Sequence, residues 1–301
     1  MDKSTDKTAN FNTFAPSPTT NRKEPMYTLT AITGPTASGK TARAIEIARA
    51  RGAEIVSFDS RQFYRGMDIG TAKPSAEELA AAPHHFIGHL PIDAPYSVGD
   101  YERDALACIA QIHARGREVV LVGGSGLYLE AIEHGLDHIP DVSPQVREQV
   151  AKLEKHEGLE ALQRLLAEKD PVYYRQVDLK NPRRVARALE VCLSSGQPYS
   201  SFRGTGRVER PFRVERINLE LPRAELYARI DARVDRMMEQ GLLREVESLL
   251  PYRHCNAMQS VGYREFFDYF DGRISLEQAV ELVKQHTRNY AKRQITWFAH
   301  R

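Results

Sequence analysis

Apolar runs and amphipathic stretches take turns along this chain, and their alternation predicts strands separated by helices. Residues 26–33 form a run rich in apolar and β-branched side chains, the pattern of a buried strand. A Gly-rich turn over 34–39 follows, and the spacing then predicts a helix over about 40–51. Residues 53–58 predict a second strand ending at Asp59, and 118–122 a third, stopped by Gly123 and Gly124. Between these two lie a loop-rich stretch to about residue 99 and a helix over roughly 100–115. Strands alternating with helices in this way predict a parallel sheet with right-handed crossovers.

The middle of the chain changes character. Residues 140–193 are helical, polar and charged, with helix starts at Ser143-Pro144 and Asn181-Pro182, where a capping side chain precedes Pro in the first turn. The Gly/Ser/Arg-rich stretch 194–210 reads as mobile, and 213–221 alternates like a strand that returns to the sheet. The remainder is mostly helical, with breaks near Gly262 and Gly272, and no internal repeat is visible. The expected organisation is a disordered tail over 1–25, a core made of 26–138 and 207–301, and an inserted helical module over 139–206. The plainer alternative is one α/β domain with a helical decoration.

Composition narrows the class. Lys and Arg number 42 against 40 Asp and Glu, so net charge selects no partner, but no acid follows Glu281. Cys108, Cys192 and Cys255 are scattered and odd in number, which fits neither a disulfide framework nor a zinc ligand set and points to a reducing compartment. No stretch approaches the roughly 20 apolar residues of a membrane span, and the first 25 residues lack the apolar core of a secretion signal. The expectation is a cytoplasmic protein that makes no membrane contact, with a monomer as the simplest state.

The chemistry begins at Gly34, Pro35, Thr36, Ala37, Ser38, Gly39, Lys40 and Thr41, which fit G-x-x-x-x-G-K-[ST] between a strand and a helix. Glycines let successive amides converge on a phosphate, and the helix start adds its positive dipole end. Lys40 supplies a point charge, and the Thr41 hydroxyl is a candidate ligand of Mg2+. The third strand ends in Gly123-Gly124-Ser125-Gly126 rather than in the acid that holds Mg2+ in nucleoside triphosphatases. The loop is therefore also suited to a diphosphate leaving group. Asp59, at the end of the second strand, falls beside whatever the loop binds; it can act as a base, ligate metal or simply cap a turn.

Basic residues cluster twice. Lys284, Arg288 and Lys292 recur every fourth residue, one stripe of a helix, and Arg183, Arg184 and Arg187 form a second group supplemented by Arg203, Arg207 and Arg210. Either cluster alone reads as a solvated face; two beside a phosphate cradle favour an RNA backbone. Tyr263, Phe266, Phe267 and Trp297 have helical spacing that suits a core better than base stacking.

From Asp59 through Pro74, and onward through His84-His85, Tyr96-Ser97-Val98, residues 122–128, 181–190, 261–264 and 292–297, the chain resembles the bacterial tRNA dimethylallyltransferases (tRNA isopentenyltransferases). The resemblance spans nearly everything after Pro25. It implies a P-loop-containing nucleoside triphosphate hydrolase-like parallel sheet with the inserted helical module. It implies transfer of a dimethylallyl group from dimethylallyl diphosphate to the N6 amine of the adenosine 3′-adjacent to the anticodon, in tRNAs reading codons that start with U. Asp59 would be the base, Arg233 a clamp on the diphosphate, and Ser125 a catalytic hydroxyl where many members carry Thr. Ser60, Arg61, Gln62, Arg147, Arg183, Arg184, Arg187, Gln259, Gly262, Tyr263, Arg264, Lys292, Arg293 and Gln294 match segments that contact the tRNA anticodon stem-loop. Phe298 and Ala299 depart from the commoner Leu and Arg. A small-molecule P-loop kinase, an adenylate isopentenyltransferase and an RNA-binding regulator with a relic loop remain as alternatives.

Overall fold

The computed structural model describes residues 27–206 and 208–299; the tail expected over 1–25 lies outside them. The sheet is parallel throughout, in the order β3-β2-β4-β1-β5. Its strands are β1 (Tyr27–Thr33), β2 (Glu54–Ser57), β3 (His84–His85), β4 (Val119–Val122) and β5 (Phe212–Asn218). The expected α/β fold with parallel strands is the observed one. β1, β2 and β4 are buried on both faces, which is why they read as apolar runs rather than alternating ones. β5 alternates because it is an edge strand, pairing β1 in register from Tyr27–Phe212 to Thr33–Asn218. β3, two residues long, is too short to carry a period and leaves no signal in the pattern.

The helices are α1 (Lys40–Arg51), α2 (Ala76–Ala81), α3 (Val98–Ala114), α4 (Gly126–His134), α5 (Pro144–Lys169), α6 (Pro171–Tyr174), α7 (Pro182–Ser195), α8 (Arg223–Glu239), α9 (Leu242–Leu249), α10 (Arg264–Phe270) and α11 (Leu276–Ala299). Both Pro-marked starts hold: Ser143 accepts from the Val146 amide and Asn181 from the Arg184 amide, satisfying donors the first turn leaves open. Gly158, at φ 78°, kinks α5.

Two bodies of core matter for the site. The main one gathers β1, β2 and β4 with α3, α4 and α8–α11. A separate cluster of Val150, Leu162, Leu166, Val185, Ala188 and Leu189 belongs to α5–α7 alone. Residues 194–210, expected as mobile, contain a 3-10 turn at Tyr199–Phe202. It is pinned because the buried Asp170 carboxylate accepts from the Ser200 amide at 2.6 Å and its hydroxyl at 2.8 Å.

Candidate functional site

Because the strands are parallel, the turns after β1, β2 and β4 open at one edge of the sheet, where ligands of such sheets bind. α8 and α11 close over that edge, leaving a cavity of about 660 Å3. Each helix contributes one stripe. Ile230, Arg233, Val234 and Met237 come from α8, and Val283, Thr287, Tyr290, Gln294 and Trp297 from α11, at the i, i+4, i+7 spacing of a single face.

The turn after β1 is the phosphate cradle. Gly34 sits at φ 137°, and a Cβ there would stand 2.6 Å from the Leu219 carbonyl oxygen, so close passage of the chain leaving β5 demands glycine. Ala37 adopts the left-handed region at φ 65° and Gly39 at φ 89°, the backbone that wraps the loop ahead of α1. The Lys40 ammonium donates to the Pro35 carbonyl at 2.6 Å. Loss of water in the cavity pushes Lys40 down to about 8; the Asp59 carboxylate opposes this and the Arg233 guanidinium adds to it. These three charges therefore share one small volume. The Ser38 hydroxyl is buried with no partner among the described residues, a donor awaiting an acceptor in an anion cradle.

The turn after β2 presents Asp59. One carboxylate oxygen accepts from the Arg61 amide at 3.1 Å, so the turn-capping reading is correct as far as it goes, and the other oxygen remains for the cavity. Ser60 meets the turn after β4, its amide and hydroxyl each 3.1 Å from the Ser125 hydroxyl. Arg61 lines the cavity and donates to the Asn256 carbonyl at 3.3 Å. Gln62 is buried, and its amide donates to the carbonyls of Thr71 and Ala72, holding the wall opposite.

Among the described residues no group of three His, Cys, Asp or Glu could hold a metal by itself. Oxygen ligands are nonetheless at hand: the Thr41 hydroxyl at the head of α1 and the Asp59 and Glu78 carboxylates line the cavity. That set fits Mg2+, which keeps its waters and takes phosphate oxygens in preference to a protein cage.

Several residues expected to contact RNA are buried or paired within the chain. Tyr263 is 0% exposed, with its hydroxyl donating to Glu245 at 2.6 Å, and Gly262 is buried but lines the cavity. Gln294 is 4% exposed and bonds the chain's own loops. Lys284 pairs with Asp235 at 2.7 Å and Arg288 with Asp231 at 2.5 Å, so the predicted basic stripe is turned against α8. Arg210 is half-buried, donating to the Ala131 and Ile132 carbonyls and pairing with Glu102. Arg203 covers the Tyr173 ring, and Arg207 lies outside the described residues.

Other candidates do remain available. Arg147, Arg184, Arg264, Lys292 and Arg293 are exposed, and Arg187 lies 3.8 Å from Glu190. Arg183, from α7, reaches the cavity lining together with Gln259, Gly262, Arg264 and Arg293. Sequence reasoning missed Tyr290, whose hydroxyl is held above its ordinary range by burial and then by Asp59. It missed Glu245 as well, which accepts the amides of Asp68, Ile69 and Gly70 and so fixes the loop facing the cradle. The signal for Tyr290 was the repeat through 283, 287, 290, 294 and 297, obscured by the basic repeat beside it.

Known proteins resemble this chain over most of its length. A family model for IPP transferase matches residues 62–301. A tRNA dimethylallyltransferase of Flavobacterium johnsoniae is 48% identical over 279 residues, covering 91% of this chain and 90% of its own. That of Christiangramia forsetii is 46% identical, covering 89% and 88%. The crystal structure of the tRNA isopentenylpyrophosphate transferase from Bacillus halodurans aligns with a TM-score of 0.67 at 39% identity, over 91% of this chain and 87% of that one. A eukaryotic dimethylallyltransferase captured acting on tRNA aligns with a TM-score of 0.75 at 26% identity, over 90% of this chain and 69% of its own.

Proposed function

This chain belongs to the IPP transferase family, and from that premise we propose that it moves a dimethylallyl group from dimethylallyl diphosphate to the N6 amine of the adenosine 3′-adjacent to the anticodon of tRNA. The observation that carries the reading is the meeting of Lys40, Asp59 and Arg233 at one cavity. Two cations and the loop amides receive the diphosphate; the Asp59 carboxylate stands beside them.

The reaction asks for that pairing. The bond from the allylic carbon to the diphosphate oxygen breaks with its electron pair, and charge builds on the leaving group, where preorganised donors count most. Lys40, Arg233, the cradle amides and the Ser38 hydroxyl meet it. The same carbon forms its new bond to the adenine nitrogen, whose proton passes to Asp59 as general base. Mg2+, when bound with Thr41 and the phosphate oxygens, supplies further neutralisation of the leaving group. The apolar stripe of Ile230, Val234, Met237 and Val283 covers the prenyl group and keeps water from the allylic cation.

The adenine must leave the anticodon stack to enter, which costs a few kcal/mol and least in a single-stranded loop. Arg183, Arg184 and Arg187 on α7 and Arg147 on α5 give the RNA backbone a basic approach to the mouth. The test is direct: incubate the protein with Mg2+, dimethylallyl diphosphate and either an unmodified anticodon stem-loop or AMP, then digest and weigh the nucleosides. One prenyl unit on the stem-loop adenosine is expected. Phosphate gain, or prenyl gain on AMP alone, would overturn the assignment.

A further inference from the structure

A glutamine amide carries hydrogen-bonding groups of both senses, and burying it unpaired would cost stability. Gln294 is 4% exposed and uses both. Its oxygen accepts from the Thr36 amide at 2.8 Å, and its nitrogen donates to the Gly124 carbonyl at 2.9 Å. Thr36 stands in the phosphate cradle, and Gly124 precedes Ser125, the residue bonded to Ser60 beside Asp59. The approach is close: a Cβ on Gly124 would lie 2.0 Å from the Gln294 nitrogen.

The helix bearing Gln294 is itself held. Ala291 packs against Leu226 and Ile230 of α8, and the Arg288–Asp231 and Lys284–Asp235 pairs tie the two helices along their length. α8 carries Arg233. One side chain thus joins the donor's cradle to the turn beside the base, from a helix locked to the one that carries the diphosphate cation.

We propose that Gln294 is a positioning residue that sets the spacing between the diphosphate cradle and Asp59, acting through Thr36 on one side and Gly124–Ser125 on the other. This rests on the prenyl-transfer reading above. Misplacement of reacting groups by about 1 Å can cost on the order of 100-fold in rate, so a two-sided amide between the halves of the site has leverage on turnover out of proportion to its two bonds.

The test uses Gln294→Glu and Gln294→Met. A protonated carboxyl has the outline of the amide, with a carbonyl to accept from Thr36 and a hydroxyl to donate to Gly124; the ionised form accepts only and opposes the Gly124 carbonyl. Burial raises the pKa of the introduced carboxyl. The ratio of Q294E to wild-type kcat is therefore expected near unity at low pH and to fall at least tenfold as pH rises. Q294M keeps the volume but loses both bonds, so its ratio is expected about 10- to 100-fold down at every pH. The KM for the stem-loop should stay within about twofold in both, since Gln294 is 4% exposed and its amide is spent on Thr36 and Gly124.

A Q294E ratio that does not change with pH overturns the proposal, as does Q294M turnover within twofold of wild type. Thermal midpoints at each pH separate loss of fold from loss of position: a fall in the Q294E ratio that tracks a falling midpoint also overturns it. Failure of the wild-type protein to prenylate any RNA would instead sink the functional reading. In that case the pH-dependent ratio of Q294E to wild-type affinity for inorganic diphosphate decides the fate of the clamp by itself.

Discussion

The Ser125 hydroxyl lies 3.1 Å from both the amide and the hydroxyl of Ser60. This contact ties the turn after β4 to the turn after β2 at the residue next to Asp59. Ser125→Ala leaves both Ser60 groups without that partner, and the loss of about 1 kcal/mol for each of the two neutral hydrogen bonds predicts a fall in kcat of up to about 30-fold. Ser125→Thr keeps the hydroxyl and should stay within about threefold of wild type. Steady-state kinetics on an anticodon stem-loop reads both.

Asp59 holds its own turn and faces the cavity, and the two jobs can be parted. Asp59→Asn keeps an oxygen for the Arg61 amide but cannot take a proton, so transfer should drop by about 10²- to 10⁴-fold with the fold intact. Donor affinity should be retained. Single-turnover rates within a factor of a few of wild type would remove Asp59 from the role of base.

Lys40 makes donor binding depend on pH. Its ammonium in the free protein loses its proton at about 8, chiefly because the cavity desolvates it. A bound diphosphate favours the charged form and raises that pKa, so affinity should be level below pH 8 and weaken as pH climbs above it. Titration with inorganic diphosphate between pH 6.5 and 9.5 measures this. In Lys40→Arg, whose charge persists throughout, the decline should vanish.

The basic residues divide by what already pairs with them. Replacing Arg183, Arg184 and Arg187 with Gln should lower the salt slope of stem-loop binding by about 2, at roughly 0.7 for each phosphate that is no longer neutralised. Lys284→Ala and Arg288→Ala should instead cost stability, about 0.5 to 1 kcal/mol each, because Asp235 and Asp231 are their partners. Their salt slopes should not move. Filter binding across a salt series together with thermal melts separates the two groups.

Local patterns announced most of the frame. The strand before Gly34 and the helix after it, the cap–Pro starts of α5 and α7, and the return of the chain as β5 all follow from short-range preferences. The positions of Lys40 and Asp59 follow too, because a parallel sheet puts the ends of its strands at one edge. What the pattern could not show is which side of a helix another helix will cover. The repeat 284, 288, 292 looks free for RNA, yet α8 presents Asp231 and Asp235 to it. Tyr263 sits in a motif that looks RNA-facing, yet Glu245, 18 residues earlier, takes its hydroxyl.

Sequence by itself therefore determined the cradle, the carboxylate beside it and the order of the layers, since each depends on neighbours within a few residues or on the handedness of strand–helix–strand units. Tertiary structure alone decided that Gln294 reaches Thr36, 258 residues away, and Gly124, 170 residues away. A side chain's burial, and with it the need to satisfy every polar atom, is fixed only when distant segments close over it.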